Sequence, residues 1–349
     1  GTKALTVTAS DRSTTYGTPI TTGSSTTQFT TTGLINSDAV NSVTLATNQL
    51  ATTAAGASSI TVTPSLAVGT GLSNYSITYT NGTVTVGTKA LTVTASDRST
   101  TYGTALVLGT SSFTTSGLIN SDAVSSVTLN QNSLTTVPAT KSAGTYTATD
   151  GIVPSAASGT GLSNYTITYV NGTLTVNQKA LTVTASNDSK TYGSTSTYGS
   201  GLSTFTSTGL QNSETIGSVT ITDTNSGGLA TASAGGSYAL TPSLATGGTF
   251  NINNYSVTYV AGTLTVNQKA LTVTASDQST TYGTALVLGT SSFTTSGLVN
   301  SDTVTSATLK YGSATTVAAT TNAGSYNITP SAASGTGLSN YTITYVNGT

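Results

Sequence analysis

The sequence predicts an all-β chain of four tandem β-sandwich domains in an elongated rod, and three observations carry that reading. The block Lys-Ala-Leu-Thr-Val-Thr-Ala opens at Lys3 and returns at Lys89, Lys179 and Lys269, so the chain repeats about every 90 residues. Within each period, apolar and hydroxyl side chains alternate two by two, the pattern of a strand with one face inward and one in water. Clusters of Gly, Asn, Asp and Ser separate about seven such runs, and no helical periodicity appears, which favours a sandwich over other β architectures. The repeat boundaries are read as 1–88, 89–178, 179–268 and 269–349, the fourth with its last strand incomplete.

The second repeat shows each element in order. Leu91, Val93 and Ala95 alternate with Thr92, Thr94 and Ser96 in a first strand. Asp97-Arg98-Ser99 interrupts it, and Tyr102-Gly103 marks a bend. Phe113–Leu118 and Val124–Leu129 read as further strands on either side of Asn120-Ser121-Asp122, a turn composition. Tyr146–Val153 reads as another strand, ended by Pro154, which has no amide donor. Tyr165, Ile167 and Tyr169 then alternate up to Asn171-Gly172, and Leu174 and Val176 follow. Asn-Gly between alternating runs predicts a type I′ hairpin, with the same turn at Asn81-Gly82 and Asn347-Gly348. The expected core is Leu91, Val93, Phe113, Val127, Ile167 and Val176 with their counterparts.

Spacing separates a joint from a surface. Each tyrosine of the last hairpin (Tyr75, Tyr165 and Tyr255) precedes the next block-opening lysine by 14 residues, whereas the middle loops vary in length. The linkers Gly87-Thr88, Asn177-Gln178 and Asn267-Gln268 are two residues long, too short to act as flexible tethers. With strand rises near 3.3 Å per residue, four units of about 40 Å give a rod of roughly 160 Å. Asn81, Gly82, Lys89, Asn171, Gly172, Lys179, Lys269, Asn347 and Gly348 are therefore the expected structural turn and junction residues.

Composition narrows the chemistry. Charged residues are 5% of the chain, net charge is −1, and His and Cys are absent. Without His or Cys the usual bases and nucleophile pairs are missing, so no enzyme is expected. Asp97 and Asp122 are of the type that makes a glycosidase pair, but each sits in a turn-like context. No Asp-x-Asp cluster exists for calcium, and Lys89, Lys179 and Lys269 at the junctions oppose a cation, so neither metal nor cofactor is expected. No basic stripe exists for nucleic acid, and no apolar run reaches membrane-spanning length. Lys89, Asp122 and Asn164 are of the residue types that form Lys–Asn isopeptide bonds, and they stand as candidates for one.

The ordered blocks Lys-Ala-Leu-Thr-Val-Thr-Ala, Tyr-Gly, Gly-Leu-x-Asn-Ser-Asp and Asn-Tyr-x-Ile-Thr-Tyr-x-Asn-Gly-Thr-Leu-Thr-Val resemble the MBG and YDG-type bacterial immunoglobulin-like repeats. The resemblance covers all four units. It implies an immunoglobulin-like sandwich, tandem arrangement in large secreted or surface-attached proteins such as filamentous-haemagglutinin-like adhesins, and an extracellular or cell-surface location. It also implies a structural stalk or fibre segment, partnered by neighbouring repeats and by lateral self-association. The alternative reading is a module whose repeated Tyr and Thr faces, including Tyr165 and Tyr169, hold carbohydrate or a host receptor. The resemblance carries no catalytic residue.

Overall fold

The first strand of every repeat is a seven-residue segment (Lys3–Ala9, Lys89–Ala95, Lys179–Ala185 and Lys269–Ala275) whose Leu, Val and final Ala are buried, while the Ala after the opening Lys is exposed. The alternation seen in the sequence is thus the alternation of the pleat. The computed structural model describes all residues 1–349, is nearly all β, and holds four tandem repeats. They fall into two compact units, Gly1–Asn177 and Gln178–Thr349, each containing two repeats.

In each repeat this strand is the centre of a three-stranded sheet. In repeat 1, Phe29–Thr32 pairs antiparallel on one side of Lys3–Ala9, and Tyr75–Thr80 pairs parallel on the other. A second sheet of five strands runs in the order Arg12–Thr15, Gly82–Gly87, Thr61–Thr70, Ala39–Thr47, Gly23–Ser25. Leu5, Val7 and Ala9 from the first sheet and Val43, Leu45, Val62, Val84 and Val86 from the second are all buried. Repeat 3 has the same first sheet and a four-stranded second one. Of the core expected in repeat 2, Leu91, Val93, Val127 and Val176 are buried, while Phe113 and Ile167 are half-buried.

The Asn-Gly hairpin does not form. Tyr165–Val170 pairs with Lys89–Ala95 in the first sheet, whereas Leu174–Asn177 pairs with Arg98–Thr101 and Gly144–Tyr146 in the second. The two halves of the expected hairpin therefore lie in different sheets. Neither Asn171 nor Gly172 has positive φ. A Cβ on Gly172 would lie 2.6 Å from the Ala95 carbonyl oxygen and 2.8 Å from that of Ser96. Gly172 is there because two chain segments touch as they cross from sheet to sheet, a second use of glycine that looks the same in sequence.

This corner is where Asp97 works. The segment Lys89–Thr101 bends between the sheets beside the segment Tyr165–Asn177, and Asp97 Oδ1 accepts the Thr173 N–H at 2.6 Å. Asp11 with Thr83 (2.7 Å), Asn187 with Thr263 (2.8 Å) and Asp277 with Thr349 (2.7 Å) repeat the clamp. The bonds to Thr83 hold the Asp11 carboxyl below the usual carboxylate range, and those to Thr349 do the same for Asp277.

Two further expectations change. Tyr146–Val153 is not one strand: Gly144–Tyr146 is followed by a 3-10 turn, Ala148–Asp150, and then by the strand Val153–Thr160. Pro154 sits inside that last strand, opposite Leu129. It is tolerated because the strand pairs along one side, so a missing amide can face away from the ladder. The type I′ geometry expected at Asn-Gly appears instead at Asn120-Ser121, with φ of 55° and 63° and the Asp122 N–H donating to the Ile119 carbonyl at 2.9 Å. Asn36-Ser37, Asn212-Ser213 and Asn300-Ser301 adopt the same left-handed pair.

Candidate functional site

The best-built polar site lies between consecutive repeats. It starts from the Asn-Ser turn, which projects Asp122 towards Tyr165. The Tyr165 hydroxyl donates to Asp122 Oδ2 at 2.8 Å and accepts the Ile119 N–H at 3.0 Å. Gly161, with φ +73°, leaves room for the carboxylate, since a Cβ there would lie 1.9 Å from Asp122 Oδ1. Each element of this socket comes from repeat 2.

Repeat 1 supplies the plug. Tyr16 is 4% exposed, and its hydroxyl donates to the same Asp122 Oδ2 at 2.9 Å. Its ring meets Tyr165 edge-on, with centroids 5.6 Å apart and planes at 80°. Gly17 follows at φ +87°, and a Cβ on it would lie 2.0 Å from Ile119 Cδ1, so both backbone conformation and close approach require glycine. The Ala55 N–H donates to Asn164 Oδ1 at 3.0 Å, and Asn120 Nδ2 donates to the Ala51 carbonyl at 3.0 Å. Thr88, in the linker, bonds Thr166 through their hydroxyls at 2.6 Å.

The same joint recurs between repeats 3 and 4. Tyr192 and Tyr341 both donate to Asp302 Oδ2 at 2.8 Å, and their rings meet at 5.5 Å and 81°. Ala234 N–H to Asn340 Oδ1 (2.9 Å) and Asn300 Nδ2 to the Ala230 carbonyl (2.8 Å) complete it. Here the apolar core runs through the joint: Tyr192, Ala232 and Val266 of repeat 3 cluster with Leu271, Val273, Ala307 and Tyr341 of repeat 4. Burial, with Asp302 alongside, pushes the Tyr341 phenol up to about 12; the same causes raise Tyr165.

The residues singled out in sequence distribute as follows. Lys89, Lys179 and Lys269 open their strands half-buried, in register with Tyr165, Tyr255 and Tyr341. Gly82, Gly172 and Gly348 are buried at the sheet-to-sheet corners, next to Asn81, Asn171 and Asn347. Of the isopeptide candidates, Asp122 and Asn164 are brought together at the joint, where Asp122 binds two tyrosines and Asn164 the Ala55 amide. Lys89 lies opposite Tyr165, the residue after Asn164. Asp97 and Asp122 serve two separate devices, the corner and the joint.

Sequence reasoning missed Tyr16 and Tyr192, having read only the equivalent Tyr102-Gly103, as a bend; the Tyr-Gly pair in every repeat was the available signal. It also missed Lys190. Where the other repeats have Thr14, Thr100 and Thr280, whose hydroxyls donate to the carbonyls of Thr18, Thr104 and Thr284, repeat 3 carries a lysine that is 6% exposed. Its Nζ donates to the Ser194 and Leu229 carbonyls at 2.9 and 2.5 Å, and burial lowers its pKa while the Asp223 charge opposes that shift.

Of the two tyrosines named for the receptor-binding alternative, only Tyr169 is exposed, at 36%. Tyr165 is 6% exposed, and the Tyr169 hydroxyl accepts the Ala157 N–H of a β-bulge at 2.8 Å. No helix in the chain is long and apolar enough to cross a membrane, a statement that leaves β-barrels untouched.

A comparison with curated proteins finds no match. The family model of the MBG domain, YGX type, matches residues 5–85, 91–175, 181–265 and 271–349. The Tyr-Gly pairs that form the plugs at Tyr16 and Tyr192 fall inside the first and third matches. Together these four consecutive matches cover nearly the whole sequence and place the chain in the MBG domain family of YGX type, as a tandem array.

Proposed function

We propose that this array is a structural segment of a secreted or surface-attached bacterial fibre or adhesin stalk, giving length and stiffness and catalysing nothing. The observation that supports it is the shared carboxylate: one Asp binds a tyrosine of its own repeat and one of the repeat before it. A two-residue linker keeps neighbouring domains close, and a buried tyrosine with two further hydrogen bonds across each joint, joined by a shared apolar cluster between repeats 3 and 4, adds resistance to bending. A neutral, hydroxyl-rich surface suits a spacer, and lateral association between arrays belongs to the same reading.

Electron microscopy of the 349-residue chain tests this. Uniform straight particles with a spacing of one repeat are expected; bent particles of variable outline would count against it. A glycan array on the same chain is expected to be blank. Saturable binding of one sugar class would instead favour the receptor-binding reading.

A further inference from the structure

In repeat 2 the opening segment Lys89–Thr101 and the closing segment Tyr165–Asn177 run side by side in the same direction, every paired residue facing the one 76 positions further on. Six ladder pairs, Lys89 with Tyr165 through Thr94 with Val170, lie in the first sheet. Four more, Arg98 with Leu174 through Thr101 with Asn177, lie in the second. The Asp97–Thr173 bond keeps that register around the corner, where Gly172 lets the two backbones touch. Repeat 3 keeps the same offset over Lys179–Thr184, Asn187 and Asp188–Thr191. Repeat 1 holds an offset of 72 over Lys3–Thr8, Asp11 and Arg12–Thr15, and repeat 4 does so over Lys269–Thr274 and at Asp277. Loops of different length separate the two segments, yet neither ladder slips. The antiparallel pair Ala123–Asn130 with Val153–Thr160, by contrast, shifts register twice.

We propose that this parallel pair is a tension clamp, by which each repeat resists unfolding when the chain is pulled along its length. Tension enters repeat 2 at Lys89 and leaves it at Asn177. In a parallel pair in this register those two points lie at opposite ends of the ladder. The opening segment is therefore drawn towards Lys89 and the closing one towards Asn177, and the two can part only by sliding. Sliding loads every rung together, because evenly spaced parallel bonds all lie across the line of force. An antiparallel terminal pair, held at neighbouring ends, would open one rung at a time.

Forced unfolding is governed by the barrier out of the folded state. Here that barrier contains the whole ladder and the packing of Leu91, Val93, Leu174 and Val176, all buried on the same two segments. The ladder also reaches the plug: the N–H of Tyr16, Tyr102 and Tyr192 donates at 2.9 Å to the carbonyls of Gly87, Asn177 and Asn267. Resistance to tension is a different property from stiffness. The clamp lies inside each repeat and does not depend on how one repeat is set on the next.

The test is single-molecule pulling on the 349-residue chain, which has no cysteine, so that introduced cysteines are the sole attachment points. Lys89→Cys with Asn177→Cys loads repeat 2 in shear. Thr101→Cys with Asn177→Cys, placed on facing residues, peels the rungs one after another. At equal pulling speed the shear pair should break at about twice the force of the peel pair or more, since its barrier includes all the rungs at once. Equal forces, or a weaker shear pair, would overturn the clamp. The unsubstituted chain, held through tags at its two ends, gives a second reading. Its repeats should open in single steps, each of about 90 residues releasing about 250–300 Å. Smooth extension without steps would overturn the clamp while leaving the straightness of the array to be judged by electron microscopy.

Discussion

Tyr16 and Asp122 lie 106 residues apart in the sequence and 2.9 Å apart in the fold, and they belong to different repeats. The carboxylate that receives Tyr16 is held by Tyr165 of its own repeat, so joint and socket share one atom. Replacing Tyr16 by Phe removes one hydrogen bond to a charged acceptor and keeps the ring. We expect a loss of about 1.5–3 kcal/mol in urea unfolding of Gly1–Asn177. A double-mutant cycle of Tyr16→Phe with Asp122→Asn should show coupling of about 1 kcal/mol or more; strictly additive losses would remove Asp122 from the joint.

Alkali should loosen the second unit before it affects the sheets in general. The Tyr341 phenol is raised from 10.0 to about 12 in the fold. The folded state then keeps a proton that the unfolded chain has released. Its contribution is full below pH 10 and is lost as pH rises from 10 towards 12. The urea midpoint should fall across that window, and spectrophotometric titration should show a late group of phenols. If all 17 tyrosines ionise together near pH 10, the buried joint is wrong.

Glycine at the corner and asparagine at the turn make opposite predictions to a hairpin. Gly172→Ala should destabilise repeat 2 by about 1–3 kcal/mol, through contact with the Ala95 and Ser96 carbonyls rather than through φ. Asn171→Ala should cost little, since it removes one exposed bond to the Ala148 carbonyl. Asn120→Ala should cost more than Asn171→Ala, because Asn120 has φ of 55° and bonds Ala51 across the joint. Thermal melts of the three variants, with Asn171→Ala the least affected, check the topology.

The corner clamp tolerates one exchange. Asp97→Asn keeps an acceptor for the Thr173 amide, as Asn187 does for Thr263 in repeat 3, and should be nearly neutral. Asp97→Ala should cost about 1 kcal/mol by chemical denaturation. Equal effects of the two substitutions would show that the side-chain oxygen is not what matters.

Intact mass spectrometry addresses Lys89, Asp122 and Asn164. With Asn164 Oδ1 accepting the Ala55 N–H and Asp122 engaged by two tyrosine hydroxyls, we expect the full calculated mass. A deficit of one ammonia per repeat would mean that Lys89 has condensed with the Asn164 amide.

Periodicity and alternation were enough to read the all-β class, the four repeats, and the burial of Leu91, Val93, Val127 and Val176, because burial on a pleated strand is local and regular. The special roles of the Tyr-Gly and Asn-Ser-Asp blocks were visible only as recurrence. Tertiary structure decided that Asn171-Gly172 crosses between sheets instead of turning back. An Asn-Gly dipeptide permits a tight turn but does not require one, and the parallel partner Lys89–Ala95 lies far away in sequence. It also decided that Tyr16 leaves its own repeat for Asp122. A phenol and a carboxylate in separate repeats carry no local pattern, and only packing one repeat on the next brings them within hydrogen-bonding distance.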